Sequence, residues 1–268
     1  MVASLADVTV VVPARNAAGL LPACLASIND AGPADLVVVD GRSTDNTAEI
    51  ARRYGATVLD DGGAGLPVAR AMGAEHARTP LVALIDADVV LPPGSLQALL
   101  REYETGRYAA LQAGLLSTAG PGYWGQALAH HHRSGRSCRW FGLVATLFDR
   151  AILLAEGFDE QFRSGEDIEL RWRLRSAGYR VGVSERVLVE HRFAGDDFGF
   201  AKSQFLMDGE GLGRMVRKHG VRGWPLLGLP LAAGVRGVAL SLLRPKWIPY
   251  YGAFVAYNYL GMWRRLRR

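Results

Sequence analysis

Leu81-Val82-Ala83-Leu84-Ile85-Asp86-Ala87-Asp88 is five apolar residues that end abruptly in two carboxylates. An unbroken apolar run of this length reads as a strand buried on both faces, as in the interior of a parallel sheet. In open α/β sheets, ligands bind outside the carboxyl ends of the strands, and Asp86 and Asp88 stand at such an end. Two carboxylates there can hold a divalent cation, and the cation can grip a diphosphate. Asp is also a common turn residue, so the tripeptide alone decides little. Its surroundings decide.

The same pattern repeats upstream. Val8 to Val12 breaks into Pro13-Ala14-Arg15-Asn16, and Leu36 to Val39 breaks into Asp40-Gly41-Arg42-Ser43-Thr44-Asp45-Asn46-Thr47. Helical patterns follow each run, over 20–28 and 48–54. Strand, polar loop, helix and strand again is the signature of right-handed βαβ units. Ser43, Thr44 and Asp45 suit the N-cap of the second helix. Capping does not explain Asp40, which closes the strand ahead of the cap and can accept hydrogen bonds from a nucleobase or ribose.

Taken in order, Val11 to Asn16, Asp40 to Thr47, Gly65 to Gly73 and Asp86 to Asp88 resemble the successive motifs of family 2 glycosyltransferases of the GT-A fold. Gly165-Glu166-Asp167-Ile168-Glu169-Leu170 resembles the family's acceptor-side Glu-Asp motif, with its helix running on to Tyr179. His191 follows the strand-like run Arg186 to Val189, where the family often has a metal-binding His. The resemblance covers roughly residues 7 to 193. It implies a Rossmann-like α/β domain with a mixed, mostly parallel sheet flanked by helices.

The resemblance also assigns roles. Pro13, Ala14, Asn16, Asp40, Arg70 and Asp86 are expected around a nucleotide-diphosphate sugar, UDP- or GDP-linked. Mg²⁺ or Mn²⁺ is expected on Asp88, with Asp86 and His191 as further metal candidates. Arg70 departs from the family pattern in its neighbours, Ala71 and Met72, and is either a phosphate contact or an exposed helix arginine. Asp167 is the candidate general base, since an inverting transfer needs the acceptor hydroxyl deprotonated as it attacks. Glu166 is expected to support the loop, and Gly165 to allow its sharp turn. The alternative reading of Glu166, Asp167 and Glu169 is helix electrostatics, acidic at the start with Arg171, Arg173 and Arg175 later. Family members that glycosylate a lipid phosphate need no base, so Asp167 implies a hydroxyl acceptor on a sugar, a lipid-linked sugar or another alcohol. Arg171-Trp172 sits inside the acceptor helix, out of place for the motif of processive polymerases, so a single transfer is expected.

Bulk properties fit one α/β domain plus a tail. Two cysteines, Cys24 and Cys138, are too few for a disulfide framework, which makes a reducing compartment the default. Met1 to Asp7 does not read as a secretory signal. The net charge of +5 is unevenly spread: residues 200–268 carry 12 Lys and Arg against two acidic residues, a balance of +10, and the rest carries −5. The basic part also holds the long apolar stretches, Pro225 to Leu243 and Trp247 to Trp263, and ends in Trp263-Arg264-Arg265-Leu266-Arg267-Arg268. Apolar helices beside a basic cluster fit an anionic leaflet, or buried helices covering the sheet. The expectation is a domain over 1–222 and a membrane-associating helical tail over 223–268, peripheral at the inner face of the cell membrane. Positive charges bracket apolar helices instead of interleaving with aromatics along a polar groove, which argues against nucleic acid.

Other residues have plainer readings. His130-His131-His132 cannot turn three consecutive side chains toward one ion, and a surface helix is expected. Trp140 and Phe141 read as a strand under the acceptor cleft, with Trp140 either stacking on a sugar or packing in the core. Cys138 reads as packing. The function expected is metal-dependent, inverting transfer of one sugar in glycan or glycolipid biosynthesis. Its rivals are a non-catalytic nucleotide-sugar-binding scaffold and a sugar nucleotidyltransferase. The latter calls for a Gly-rich triphosphate loop, which Pro13-Ala14-Arg15-Asn16 does not supply.

Overall fold

A computed structural model describes residues 3–134, 140–162, 164–242 and 245–267; Cys138 lies outside the described residues. The first half alternates strand and helix: β1 (Val8–Ala14), α1 (Leu21–Ala31), β2 (Asp35–Asp40), α2 (Thr47–Arg53), β3 (Thr57–Asp60), α3 (Leu66–His76) and β4 (Leu81–Ile85). β1 pairs in parallel with β2 on one side and β4 on the other, and β3 extends the sheet beyond β2. Chain order therefore reverses direction between β1 and β4, and a crevice opens there at the carboxyl ends. Pro13 is tolerated in this inner strand because β4 pairs only as far as Val11, so no neighbour on that side needs its missing N–H.

The alternation of β1 shows how two layers form. Val8, Val10, Val12 and Ala14 pack on one face with Leu21, Leu25 and Ile28 of α1. Val11 packs on the other with Ala69 and Ala74 of α3. Successive side chains of a strand point to opposite faces, so a strand buried on both must be apolar throughout.

The second half completes the sheet with β5 (Val89–Val90), α4 (Ser95–Gly106), β6 (Ala110–Thr118), α5 (Tyr123–Arg133), β7 (Ala145–Asp149), α6 (Arg150–Glu156), α7 (Glu166–Ser176) and β8 (Val181–Arg192). The strand order is β3-β2-β1-β4-β7-β6-β8-β5. β7 runs antiparallel to β4 and β6, β8 is parallel to β6, and β5 is antiparallel to β8. The sheet is mixed and mostly parallel.

After β8 the chain is helical: α8 (Phe198–His219), a 3-10 segment (Gly220–Gly228), α9 (Leu229–Leu240) and α10 (Ile248–Leu266). α10 returns along α8 at backbone contact distance. A Cβ on Gly209 would meet Asn258 O at 2.0 Å, and one on Gly261 would meet Leu206 O at 2.3 Å, so only glycine fits either crossing. Trp247, Tyr250 and Tyr251 are buried against Ala127 and Leu128 of α5 and Phe205 of α8. Burying a large apolar side chain contributes roughly 1.5–3 kcal/mol, so α10 is firmly attached. The expected boundary at 222/223 falls within the 3-10 segment.

Two local expectations are corrected. The histidine helix, α5, is not on the surface. His131 is buried against Tyr250, Tyr251 and Phe254, and His130 stacks on Trp247 at 5.2 Å, because α10 folds back over them. Trp140 and Phe141 belong to a loop ahead of β7, not to a strand.

The tail keeps an apolar exterior. Val221, Trp224, Leu231, Val235, Leu240 and Leu242 are all more than half exposed. The helical run 198–240 contains an 18-residue window of mean hydropathy 1.3, of which 22% is buried, so it is long and apolar enough to cross a membrane by length and composition.

Candidate active site

The loops after β1 and β2 are tied to each other. Asn16, at φ 51°, accepts from Thr44 N at 2.8 Å through Oδ1, and its own N–H donates to Ser43 Oγ at 2.9 Å. Asp45 accepts from Ala18 N at 3.1 Å and from Thr47 N at 3.0 Å. Ser43, Thr44 and Asp45 are thus used in joining the loops and shaping the turn. The N-cap of α2 is Asn46, which makes no side-chain cap bond. Asp40, paired in register with Ala14, accepts from Ser43 N at 3.1 Å through Oδ2, while its Oδ1 is buried and unpartnered. A buried acceptor left unmade costs roughly 1–3 kcal/mol, which suits an atom reserved for a ligand donor. Pro13 and Ala14 form the strand end beside it.

Asp86 and Asp88 follow β4 at the crevice. Asp88 Oδ2 lies 3.4 Å from His191 Nε2, and Asp88 Oδ1 is buried without a partner. Ser117 Oγ sits 3.3 Å from His191 Nδ1, which fixes the ring with Nε2 toward Asp88. Burial opposes protonation of His191, but the hydrogen bond and charge of Asp88, with the charge of Asp86, outweigh it and raise the pKa. Among the described residues no group of three or more His, Cys, Asp or Glu side chains is placed to hold a metal ion. A carboxylate with a free oxygen beside an imidazole is a donor pair that Mg²⁺ or Mn²⁺ can use where phosphate oxygens and water supply the remaining positions.

Arg70 corrects the sequence reading. It is not an exposed helix arginine. At 1% exposure it is buried, with Nη2 donating to Asp86 Oδ1 and Nη1 to Glu166 Oε1, each at 2.8 Å. Burial works against its charge, but Asp86 and Glu166 more than restore it, and its pKa is raised. Burial pushes the Asp86 carboxyl up to about 6 against the pull of Arg70. One guanidinium thereby joins the strand-end motif to the start of α7.

Glu166 occupied by Arg70 leaves Asp167 as the outward member of the pair. Gly165 makes the turn at φ 80°, and a Cβ there would meet Gly211 Cα at 2.9 Å, so α8 crosses directly over this loop. Asp167 Oδ2 accepts from Trp140 Nε1 at 3.1 Å. Burial first, then the Glu166 charge, push the Asp167 carboxyl up to about 7. A base with a pKa near neutrality is well matched to proton abstraction at physiological pH.

The sequence reading missed Asp208 of α8. Its carboxyl is pushed up to about 7, by burial first and then by the charges of Asp167 and Glu166. The signal was available: Asp208 and Glu210 are the two acidic residues in the basic stretch 200–268.

Comparison with known proteins follows from this geometry. The model of glycosyl transferase family 2 matches residues 9–161. An uncharacterized glycosyltransferase of Mycobacterium tuberculosis is 46% identical over 99 residues, 37% of this chain and 44% of that protein. The 4,4'-diaponeurosporenoate glycosyltransferase of Staphylococcus aureus is 38% identical over 106 residues, 37% of this chain and 28% of that protein. The matches thus span less than half the length of these relatives. Among solved structures, a mannosyltransferase from Pyrobaculum calidifontis in complex with GDP-Man and Mn²⁺ has a TM-score of 0.70 at 20% identity, over 97% of this chain and 88% of that one. Glucosyl-3-phosphoglycerate synthase from Mycobacterium tuberculosis has a TM-score of 0.59 at 19% identity, over 80% of each chain. Both share the fold.

Proposed function

The chain belongs to glycosyl transferase family 2, and on that premise we propose that it moves a single sugar, with inversion, from a nucleotide-diphosphate sugar to an acceptor hydroxyl. The observation that carries the reading is the Arg70 bridge. Its two ion pairs at 2.8 Å hold Asp86 and Glu166 to one guanidinium, and so bring the donor motif and the Asp167 motif to one crevice.

Each residue then has a task. Asp40 Oδ1 accepts from the nucleobase or ribose, and Asn16 with the loop tied to it shapes that pocket. Asp88, with His191 and Asp86, would hold Mg²⁺ or Mn²⁺. The metal, when bound, supplies positive charge to the diphosphate as the sugar leaves it. Asp167 takes the proton of the acceptor hydroxyl as its oxygen bonds to the anomeric carbon. The bond from that carbon to the diphosphate oxygen breaks on the opposite face, and the diphosphate leaves with the electron pair.

The setting proposed is peripheral, at the inner face of the cell membrane, with a lipid-linked acceptor. The more than half-exposed Trp224, Leu231, Val235 and Leu242 support it, together with the +10 balance of residues 200–268. Two measurements test the proposal. Purified protein titrated with UDP-, GDP- and TDP-sugars, with and without Mn²⁺, should show metal-dependent thermal stabilisation by one nucleotide class. Stabilisation by none, or with no metal dependence, sinks the donor assignment. Anionic vesicles should bind the protein more tightly than neutral ones, and salt should narrow the gap; absence of vesicle binding removes the membrane setting alone.

A further inference from the structure

A groove of about 420 Å³ opens beside Asp167 and takes no part in the chemistry above. Its wall includes Ile168, the residue after Asp167, and Trp140, whose indole donates to Asp167. Arg171 and Arg175 of α7 line it as well, with Trp172 from the same helix and Leu226 and Leu229 from the tail. This is a mixed surface, apolar and aromatic on most sides and cationic along one.

The cations are the informative part. Arg173, on the same helix, is tied to Glu156 and Glu169. Arg171 and Arg175 form no ion pair with a carboxylate among the described residues, although they stand one helical turn apart, where like charges repel. The Nε of Arg171 is buried without a partner, and its guanidinium lies over the Phe141 ring at 5.8 Å. Burial and the charge of Arg175 lower the pKa of Arg171. A fold that gathers two arginines at a cavity and leaves them unneutralised is complementary to an anion. The groove has the size of a small-molecule site, which runs to about 300–1,000 Å³, and this is enough for a head group and the first part of a chain.

We propose that this groove binds an amphiphilic acceptor by an anionic group held between Arg171 and Arg175, with its apolar chain against Trp172, Leu226 and Leu229 and its reacting hydroxyl at Asp167. The inference rests on the transferase reading and narrows its acceptor. The anion anchors the acceptor and the hydroxyl reacts, so the anchoring role and the base role are separate.

Calorimetric titration with octyl phosphate below its critical micelle concentration tests this, with octanol and octyltrimethylammonium as comparisons. Octyl phosphate should bind at least tenfold more tightly than octanol, since hydrogen bonds to charged groups give roughly ten- to hundredfold. The cation should bind most weakly. Arg171→Gln/Arg175→Gln should reduce octyl phosphate to the level of octanol. Ser176→Glu, at an exposed position of the groove wall, should weaken octyl phosphate several-fold without endangering the fold, and it decides the matter if the double variant does not fold. Equal binding of octyl phosphate and octanol by the unaltered protein, or octyl phosphate binding unchanged by the folded variants, overturns the proposal. Nucleotide binding with Mn²⁺ is measured on the same preparations. Its presence with a failed groove test overturns the groove alone, whereas its absence with a passed groove test overturns the transferase reading and leaves an amphiphile site.

Discussion

On the side of the crevice proposed to hold the donor, Asn16, Asp40, Asp86 and Asp88 stand at or just past the ends of neighbouring strands. On the side proposed to hold the acceptor, Asp167 opens a helix, Trp140 sits in a loop, and Asp208 comes from the flank of α8. The first set is positioned by sheet hydrogen bonds, which fix each side chain relative to the next strand. The second is positioned by packing between elements far apart in the chain, with α8 laid across Gly165 and α10 laid along α8. The difference teaches that the donor side is set by local sequence and the acceptor side by the tertiary assembly. Substitutions on the two sides should therefore fail in different ways.

The sharpest break of the donor side is Asp88→Ala. Losing a metal ligand removes charge stabilisation of several kcal/mol at the leaving diphosphate, so turnover should fall on the order of 10³-fold or more. Metal-dependent nucleotide binding should go with it, while the melting temperature barely moves. Near-normal turnover in this variant with chelator present would show that no metal serves the reaction.

Asp167→Asn should separate the sides. The amide is nearly isosteric and cannot take a proton, so kcat should drop ~10²–10⁴-fold with donor affinity kept. Equal losses in donor affinity and kcat would place Asp167 in the donor pocket or the fold, and the comparison would collapse.

Arg70→Met tests the joint between them. Breaking a buried ion pair by removing one partner costs about 3–5 kcal/mol, and here two carboxylates, Asp86 and Glu166, would be left behind. Stability, nucleotide affinity and kcat should all fall. A variant that loses nucleotide affinity alone would mean that the acceptor side is positioned without Arg70.

These residues also show what could be read from the chain. Asp40 and Asp88 were visible because a strand and its closing carboxylate are contiguous. Glu166 and Asp167 were visible through a motif, and the support given by Glu166 was anticipated without its partner. The exposed alternative for Arg70 failed because its partners lie 16 and 96 residues away, and nothing local separates a buried helix arginine from an exposed one. The histidines of α5 were placed on the surface for a related reason: the helix that covers them begins more than a hundred residues later. Trp140 meets Asp167 through its indole N–H, but its loop took the look of a strand from Trp140-Phe141 beside an apolar run.

The smallest effect expected is that of Trp140→Phe, and it probes the acceptor side most finely. The indole N–H donates to Asp167 Oδ2 at 3.1 Å, and such a bond favours the ionised carboxylate. Burial and Glu166 hold that carboxyl up to about 7, and the base acts only when ionised, so kcat should rise with pH through about 7 and level off above it. Phenylalanine keeps the ring and removes the donor. The pKa of Asp167 then moves further up, and the rising limb of the profile moves to higher pH by roughly half a unit, about a twofold loss at pH 7. The plateau at high pH should be unchanged, because the base is fully ionised there in both proteins. A lower plateau with an unmoved midpoint would mean that Trp140 acts by contacting the acceptor, not by tuning the base. Asp208 lies near enough to Asp167 to influence it, so Asp208→Asn offers the opposite shift: with one negative charge removed, the limb should move to lower pH. Opposite displacements by these two changes would tie the neutral-range limb to Asp167 through groups on two different elements. Displacements in the same direction would assign the limb to another group in the crevice.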